Sequence, residues 1–231
     1  NIVYDDEQIM VINKPANLVV HPAAGNREGT LLNALLFLCP QLKHVPRAGI
    51  VHRLDKDTTG LMVVAKTLEA HTDLVAQLQE RSVNREYEAV VSGVMTGGGT
   101  VDQPIGRHPK QRKKMAVVKG AKEARTHYKV LQRFAGHTYI RLKLETGRTH
   151  QIRVHMASIK YPIVGDDAYG GRFRIHKGVS DQLRETLHSF GRQALHAREL
   201  GLEHPETGEY MSWTSDLPQD MQQLLQALTD E

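Results

Sequence analysis

Residues 61–65, LMVVA, are an unbroken apolar run separated from HRLDKD, residues 52–57, only by Thr58, Thr59 and Gly60. Those six residues hold two carboxylates, two cations and a histidine. An apolar run of this length, entered through a glycine, reads as a strand over residues 60–66 that is covered on both faces. The chain must therefore bury this strand while leaving a dense group of charges at its mouth. Solvated charge normally sits in tails or along helix faces, so its placement here points to a loop with a task.

The rest of the pattern supplies the cover. Residues 2–20 read as a hairpin, IVY and IMVINKP around the acidic turn DDEQ. Gly29 to Leu42 is apolar at helical spacing, and Thr67 reads as the N-cap of a helix carrying Leu68, Leu74, Val75 and Leu78. VNREYEAVVSG (83–93) alternates like a strand, GGG at 97–99 marks a turn, and THYKVLQRF and TYIRLKLET form a hairpin signal around AGH. RTHQIRVHMASI, from residue 148, has helical spacing with Thr149 as a cap. Two further strands flank an ETG turn near the C-terminus, and a last helix follows Pro218. Hairpin-linked strands with a few helices predict an α+β fold with a mixed, mostly antiparallel sheet, not alternating βαβ units.

With 231 residues and 40% apolar content, the chain can bury a sizeable core. Its net charge of +4 fits nucleic acid, anionic lipid or neither. Cys39 is the single cysteine, so no internal disulfide framework or cysteine-based zinc site can form, which predicts a reducing, cytoplasmic setting. No apolar stretch approaches the roughly 18 residues that cross a bilayer. The sequence enters strand-like pattern immediately at Asn1, which predicts an excised piece of a longer chain.

Three chemistries compete for HRLDKD. A protein-kinase catalytic loop is excluded, because Leu54 separates Arg53 from Asp55, no asparagine follows, and no Gly-rich nucleotide loop has the right spacing. A metal site is disfavoured: Arg53 and Lys56 oppose a cation at Asp55 and Asp57, and His150 and His155 are five apart, off one helical face. The third is a carboxylate flanked by cations that serves as nucleophile or base, since an opposite charge keeps a partly buried carboxylate ionised. From the local residues alone, a plain surface turn is the simpler reading.

HRLDKDTTGL resembles the signature of the RluA-type pseudouridine synthases, which convert uridine in RNA to its C5-linked isomer. VINKPANLVVHP (11–22), REYEAVVSG (85–93), ETGRTHQIRVHMASIKYPIVGDDAYG (145–170) and LHARELGLEHPETGE (195–209) resemble the family's other landmarks, in the family's order. The resemblance implies one catalytic domain over residues 1–231 with the pseudouridine synthase fold and a central cleft, preceded in relatives by an S4 RNA-binding domain. It also implies catalysis without cofactor or metal. The implied partner is large-subunit (23S) ribosomal RNA or a precursor of the 50S particle, met by a monomer with no obligate protein partner. The alternative is a non-catalytic RNA-binding assembly factor of the same fold.

By motif match, Asp55 is the catalytic residue, attacking the anomeric carbon or removing the C2′ proton. Arg153 pairs with that aspartate. Tyr87 stacks on the target base, as extruded bases are commonly held. Arg53 fills the space the flipped base vacates, its guanidinium plane stacking on the remaining bases. Residues 107–122 hold seven Lys or Arg and no acid. Arg107, Lys110, Arg112, Lys113 and Lys114 are the candidates for gripping the RNA backbone, with a solvated hairpin as the bland alternative. Tyr169, Arg172 and Lys177 are weaker candidates for RNA contact.

Overall fold

A computed structural model describes residues 1–23, 25–170 and 179–231. In chain order the strands are β1 (Ile2–Asp5), β2 (Ile9–Lys14), β3 (Thr59–Ala65), β4 (Asn84–Ser92), β5 (Gly99–Asp102), β6 (Ile105–Arg107), β7 (Met115–Val117), β8 (Arg125–Arg133), β9 (His137–Leu144), β10 (Leu195–Glu203) and β11 (Tyr210–Thr214). The helices are α1 (Leu31–Leu38), α2 (Leu68–Glu80), α3 (Gln151–Ser158), α4 (Asp181–Ser189) and α5 (Gln219–Thr229). The α+β expectation holds, and the pairs β1–β2, β2–β3, β4–β9, β5–β8, β6–β7, β8–β9 and β10–β11 are all antiparallel. The chain divides into two compact units, one of residues 1–85 with 197–216, the other of 86–196 with 217–231.

In the first unit β1, β2 and β3 form an antiparallel run, and β10 pairs with β11. All seven residues of β3 are buried, as an apolar run without alternation requires. Leu61, Val63 and Ala65 share a cluster with Ile9 and Val11 of β2, Ala70 and Leu74 of α2, and Leu200 and Leu202 of β10. Each fully buried Leu or Val there contributes about 1.5–3 kcal/mol. Thr67 caps α2 as its sequence predicts, its hydroxyl accepting the Ala70 N–H at 3.1 Å. The helix expected to run from Gly29 to Leu42 is shorter. Thr30 caps α1, which ends at Leu38, and Pro40 opens a 3₁₀ turn to His44 because proline cannot continue the α-helical ladder. Gly60 enters β3 with φ +112, and a Cβ there would lie 2.3 Å from the Ala197 carbonyl oxygen, so no other residue fits.

In the second unit β9 is flanked by β4 and β8, and β8 by β5. β6 and β7 form a separate two-stranded hairpin whose turn opens the basic segment. α3 is buried from Gln151 to Met156, and its polar residues are tied down individually. Gln151 Nε2 donates to Arg125 O and Thr126 Oγ1, while His155 bonds Thr126 Oγ1 and Gln103 O. Thr149 is not the cap of α3. His150 takes that position at φ 56, because Gln151 Oε1 accepts the Arg148 N–H and closes a tight turn before the helix starts.

Candidate active site

Asp55 and Arg53 lie in the first unit. Asp55 is half-buried, Arg53 is exposed and Leu54 between them is buried. The loop is braced at three points. His52 Nε2 accepts the Val63 N–H at 3.1 Å, fixing the loop's entry on β3. Burial, then the nearby Arg85 cation, pushes the His52 pKa down to about 3, so the ring is neutral, as an acceptor nitrogen must be. The Thr58 N–H donates to the Asp55 carbonyl at 3.1 Å, closing a turn around Lys56 and Asp57.

The third brace is Lys14, whose side chain is 1% exposed. Its ammonium donates to Pro15 O at 2.8 Å, Leu18 O at 3.1 Å and Lys56 O at 2.9 Å. The Leu18 N–H also donates to Lys56 O. A compact buried ammonium surrounded by carbonyls thus ties the end of β2 to the residue after Asp55. Just upstream, Arg47, Ala48 and Gly49 all have positive φ, and a Cβ on Gly49 would lie 1.9 Å from Ala65 O. Two non-glycine residues in the left-handed region are a local strain that β3 must hold in place. His21 has its pKa lowered by burial and then by Arg53 and Arg47.

Tyr87, Arg153 and the basic segment lie in the second unit. Tyr87 sits in β4 opposite Leu142 and keeps 6% of its surface exposed. Arg153 is buried in α3 and forms a bidentate pair with Asp166, Nε to Oδ2 at 2.7 Å and Nη2 to Oδ1 at 2.9 Å. Asp166 Oδ1 also accepts the N–H groups of Ala168 and Tyr169. This fork-on-fork geometry fixes the guanidinium plane as well as its charge.

The basic candidates separate into two kinds. Arg107, Lys110, Arg112 and Lys113 are exposed at and near the β6–β7 turn, and none of them has an ion-pair partner among the described residues. The Arg107 guanidinium donates to Arg112 O, which shapes the turn. Lys114 is different: its ammonium donates to Ala168 O at 2.7 Å, beside the Asp166 that holds Arg153. Arg172 and Lys177 lie outside the described residues.

Sequence reasoning did not single out Lys14 or Asp166. Both stand inside family motifs, but the ties that matter, Lys14 to Lys56 and Asp166 to Arg153, span 42 and 13 residues, and local spacing carries no sign of them. No group of His, Cys, Asp or Glu that could hold a metal ion occurs among the described residues. No described helix is long and apolar enough to cross a membrane.

A family model described as RNA pseudouridylate synthase matches residues 8–158. The chain is 67% identical over 230 residues to the ribosomal large subunit pseudouridine synthase D of Pseudomonas aeruginosa, covering all of this chain and 72% of that protein. The protein of the same name from Pasteurella multocida is 60% identical, with 99% of this chain and 70% of that protein covered. Among solved structures, human RNA pseudouridylate synthase domain containing 4 superposes with a TM-score of 0.76 at 29% identity, covering 99% of this chain and 92% of that one.

Proposed function

The chain belongs to the RNA pseudouridylate synthase family, and on that premise we propose that it isomerises uridines of large-subunit (23S) ribosomal RNA to pseudouridine with Asp55 as the catalytic carboxylate. The large-subunit substrate rests on relatives of that name at 60–67% identity over nearly the whole chain. The single observation that carries the chemistry is the bracing of the Asp55 loop by His52 and the buried Lys14 ammonium.

The reaction balances without a co-substrate. The N1–C1′ bond of uridine breaks, uracil turns in place, a C5–C1′ bond forms, and the proton at C5 leaves as N1 gains one. A carboxylate assists by attacking C1′ or by taking the C2′ proton, and a braced loop keeps its oxygen where the ribose must come, since misplacement of a reacting group is costly. Tyr87 supplies an aromatic surface for the extruded base. Arg153, held by Asp166, keeps the role that the family resemblance gives it, the cation that pairs with the catalytic aspartate. Arg53 takes the place the base leaves, and the exposed cations of the β6–β7 turn grip phosphates. A single copy of the chain meets the RNA, free or in a precursor of the large subunit, in the cytoplasm.

The test uses the purified chain, stripped beforehand with EDTA, and transcripts of large-subunit ribosomal RNA. Pseudouridine forms and the RNA keeps its length. Binding without isomerisation identifies an assembly factor instead, and strand cleavage that EDTA stops identifies a metal-dependent hydrolase.

A further inference from the structure

Tyr169 joins two parts of the second unit that the proposed function uses separately. Its hydroxyl oxygen accepts the Met115 N–H at 2.9 Å, holding the first residue of β7. The same hydroxyl bonds His150 Nδ1 at 2.7 Å, just before α3, and the two rings meet edge to face. Its ring lies under Arg153, with the guanidinium carbon 5.0 Å from the ring centre. Its own N–H donates to Asp166 Oδ1, the oxygen that also accepts from Arg153 Nη2. One residue earlier, Ala168 O accepts the Lys114 ammonium. Met115 and Tyr169 pack together on Ile105, Ala124 and Val154.

The basic hairpin is thus fastened by two ties, Met115 to Tyr169 and Lys114 to Ala168, and both end on the short stretch whose N–H groups complete the Asp166–Arg153 pair. Any movement that lifts the hairpin pulls on the residues that fix the guanidinium. We infer that Tyr169 is a positioning residue that makes seating of the basic hairpin and alignment of Arg153 a single event. RNA phosphates drawn to Arg107, Lys110, Arg112 and Lys113 press the hairpin onto Tyr169, and the same contact holds Arg153 flat on the ring. The functional half of this inference rests on the isomerase reading above, whereas the mechanical half does not.

Two variants of the full chain test it. Tyr169→Phe deletes only the hydroxyl and keeps the ring beneath Arg153, and Lys114→Met removes the other tie without touching Tyr169. Limited trypsinolysis without RNA reads the hairpin through cleavage after Lys110, Arg112 or Lys113. Loss of the tie to the hairpin, which in Tyr169→Phe goes with loss of the His150 bond and in Lys114→Met does not, is expected to speed that cleavage about five- to tenfold in each variant, with cleavage elsewhere unchanged. Single-turnover isomerisation at saturating ribosomal RNA transcript is expected to slow by a similar factor in both variants, because binding is then complete and only alignment is compared.

Faster nicking with an unchanged saturating rate overturns the coupling, and unchanged nicking overturns the clamp. Should Tyr169→Phe fail to fold, Lys114→Met carries the same two readouts. A wild-type chain that makes no pseudouridine defeats the isomerase reading and the coupling with it, while the nicking comparison still decides whether the clamp exists.

Discussion

The buried Lys14 ammonium lies 2.9 Å from the carbonyl oxygen of Lys56, the residue next to Asp55. Two residues separated by 42 positions thereby fix where the carboxylate-bearing loop sits against the end of β2. Lys14→Met keeps most of the side-chain volume but leaves three carbonyls without this donor. Folding stability is expected to fall by about 3–5 kcal/mol, as when one member of a buried polar group set is removed. Single-turnover isomerisation is expected to fall more than RNA affinity, because the loop is loosened and the phosphate-binding cations are elsewhere. Chemical denaturation and a rapid-quench assay check both.

The Arg153–Asp166 pair makes a prediction through non-additivity. Removing either partner takes away the bidentate bonds that hold the other in its buried place, so Arg153→Met or Asp166→Leu alone is expected to cost about 3–5 kcal/mol of stability. The double variant is expected to recover part of that loss, since an apolar pair can replace the buried ion pair but not the acceptor that Asp166 offers to the Ala168 and Tyr169 N–H groups. Activity does not recover in the double variant, because Arg153 is then still missing. Denaturation midpoints and turnover measured on all four forms read this cycle.

His52 gives a pH signature with a definite sign. Its folded pKa of about 3 lies below the ordinary 6.5, so the unfolded chain takes up a proton before the folded one does. Stability from this residue is complete above pH 6.5 and is lost as pH falls through the window down to about 3. One differentially bound proton corresponds to a slope of about 1.4 kcal/mol per pH unit inside that window. His52→Gln is expected to lower stability at neutral pH and to flatten the acid limb by up to that slope. Equilibrium unfolding between pH 4 and 7 for both chains measures the difference.

Salt separates the two kinds of cation on the basic hairpin. Replacing Arg107, Lys110, Arg112 and Lys113 together by Gln is expected to reduce the slope of log affinity against log salt by about 3, since each phosphate that is no longer neutralised removes about 0.7–0.9. Lys114→Gln changes that slope less, because its ammonium is held by Ala168 O. Filter binding of a ribosomal RNA fragment over a range of potassium chloride concentrations decides between them.

Much of the fold is legible from pattern alone. β3 shows itself by apolar continuity and α2 by Thr67, because burial and capping are local signals. The β6–β7 hairpin shows in the sequence only as the bland alternative for the basic segment, since exposed cations mask the alternation of its short strands. α4 escapes pattern reading because Leu183 and Leu187 are its only buried residues, too few for a periodic stripe. The cap of α3 falls one residue later than its sequence suggests, as the turn before it is made by the Gln151 side chain and not by Thr149. In the candidate site, the motif residues come from family resemblance, while Lys14, Asp166 and the hydroxyl role of Tyr169 need the fold. Each works through a partner that only tertiary structure brings near.

The most direct measurement maps pseudouridines in large-subunit ribosomal RNA from cells that lack this gene and carry either the wild-type or the Asp55→Asn form. The account predicts that the missing pseudouridines return with the wild-type form and stay absent with Asp55→Asn, although the variant accumulates normally and binds the RNA within about threefold of wild type, since a single neutralised carboxylate makes no phosphate contact. Restoration of those pseudouridines by Asp55→Asn contradicts it.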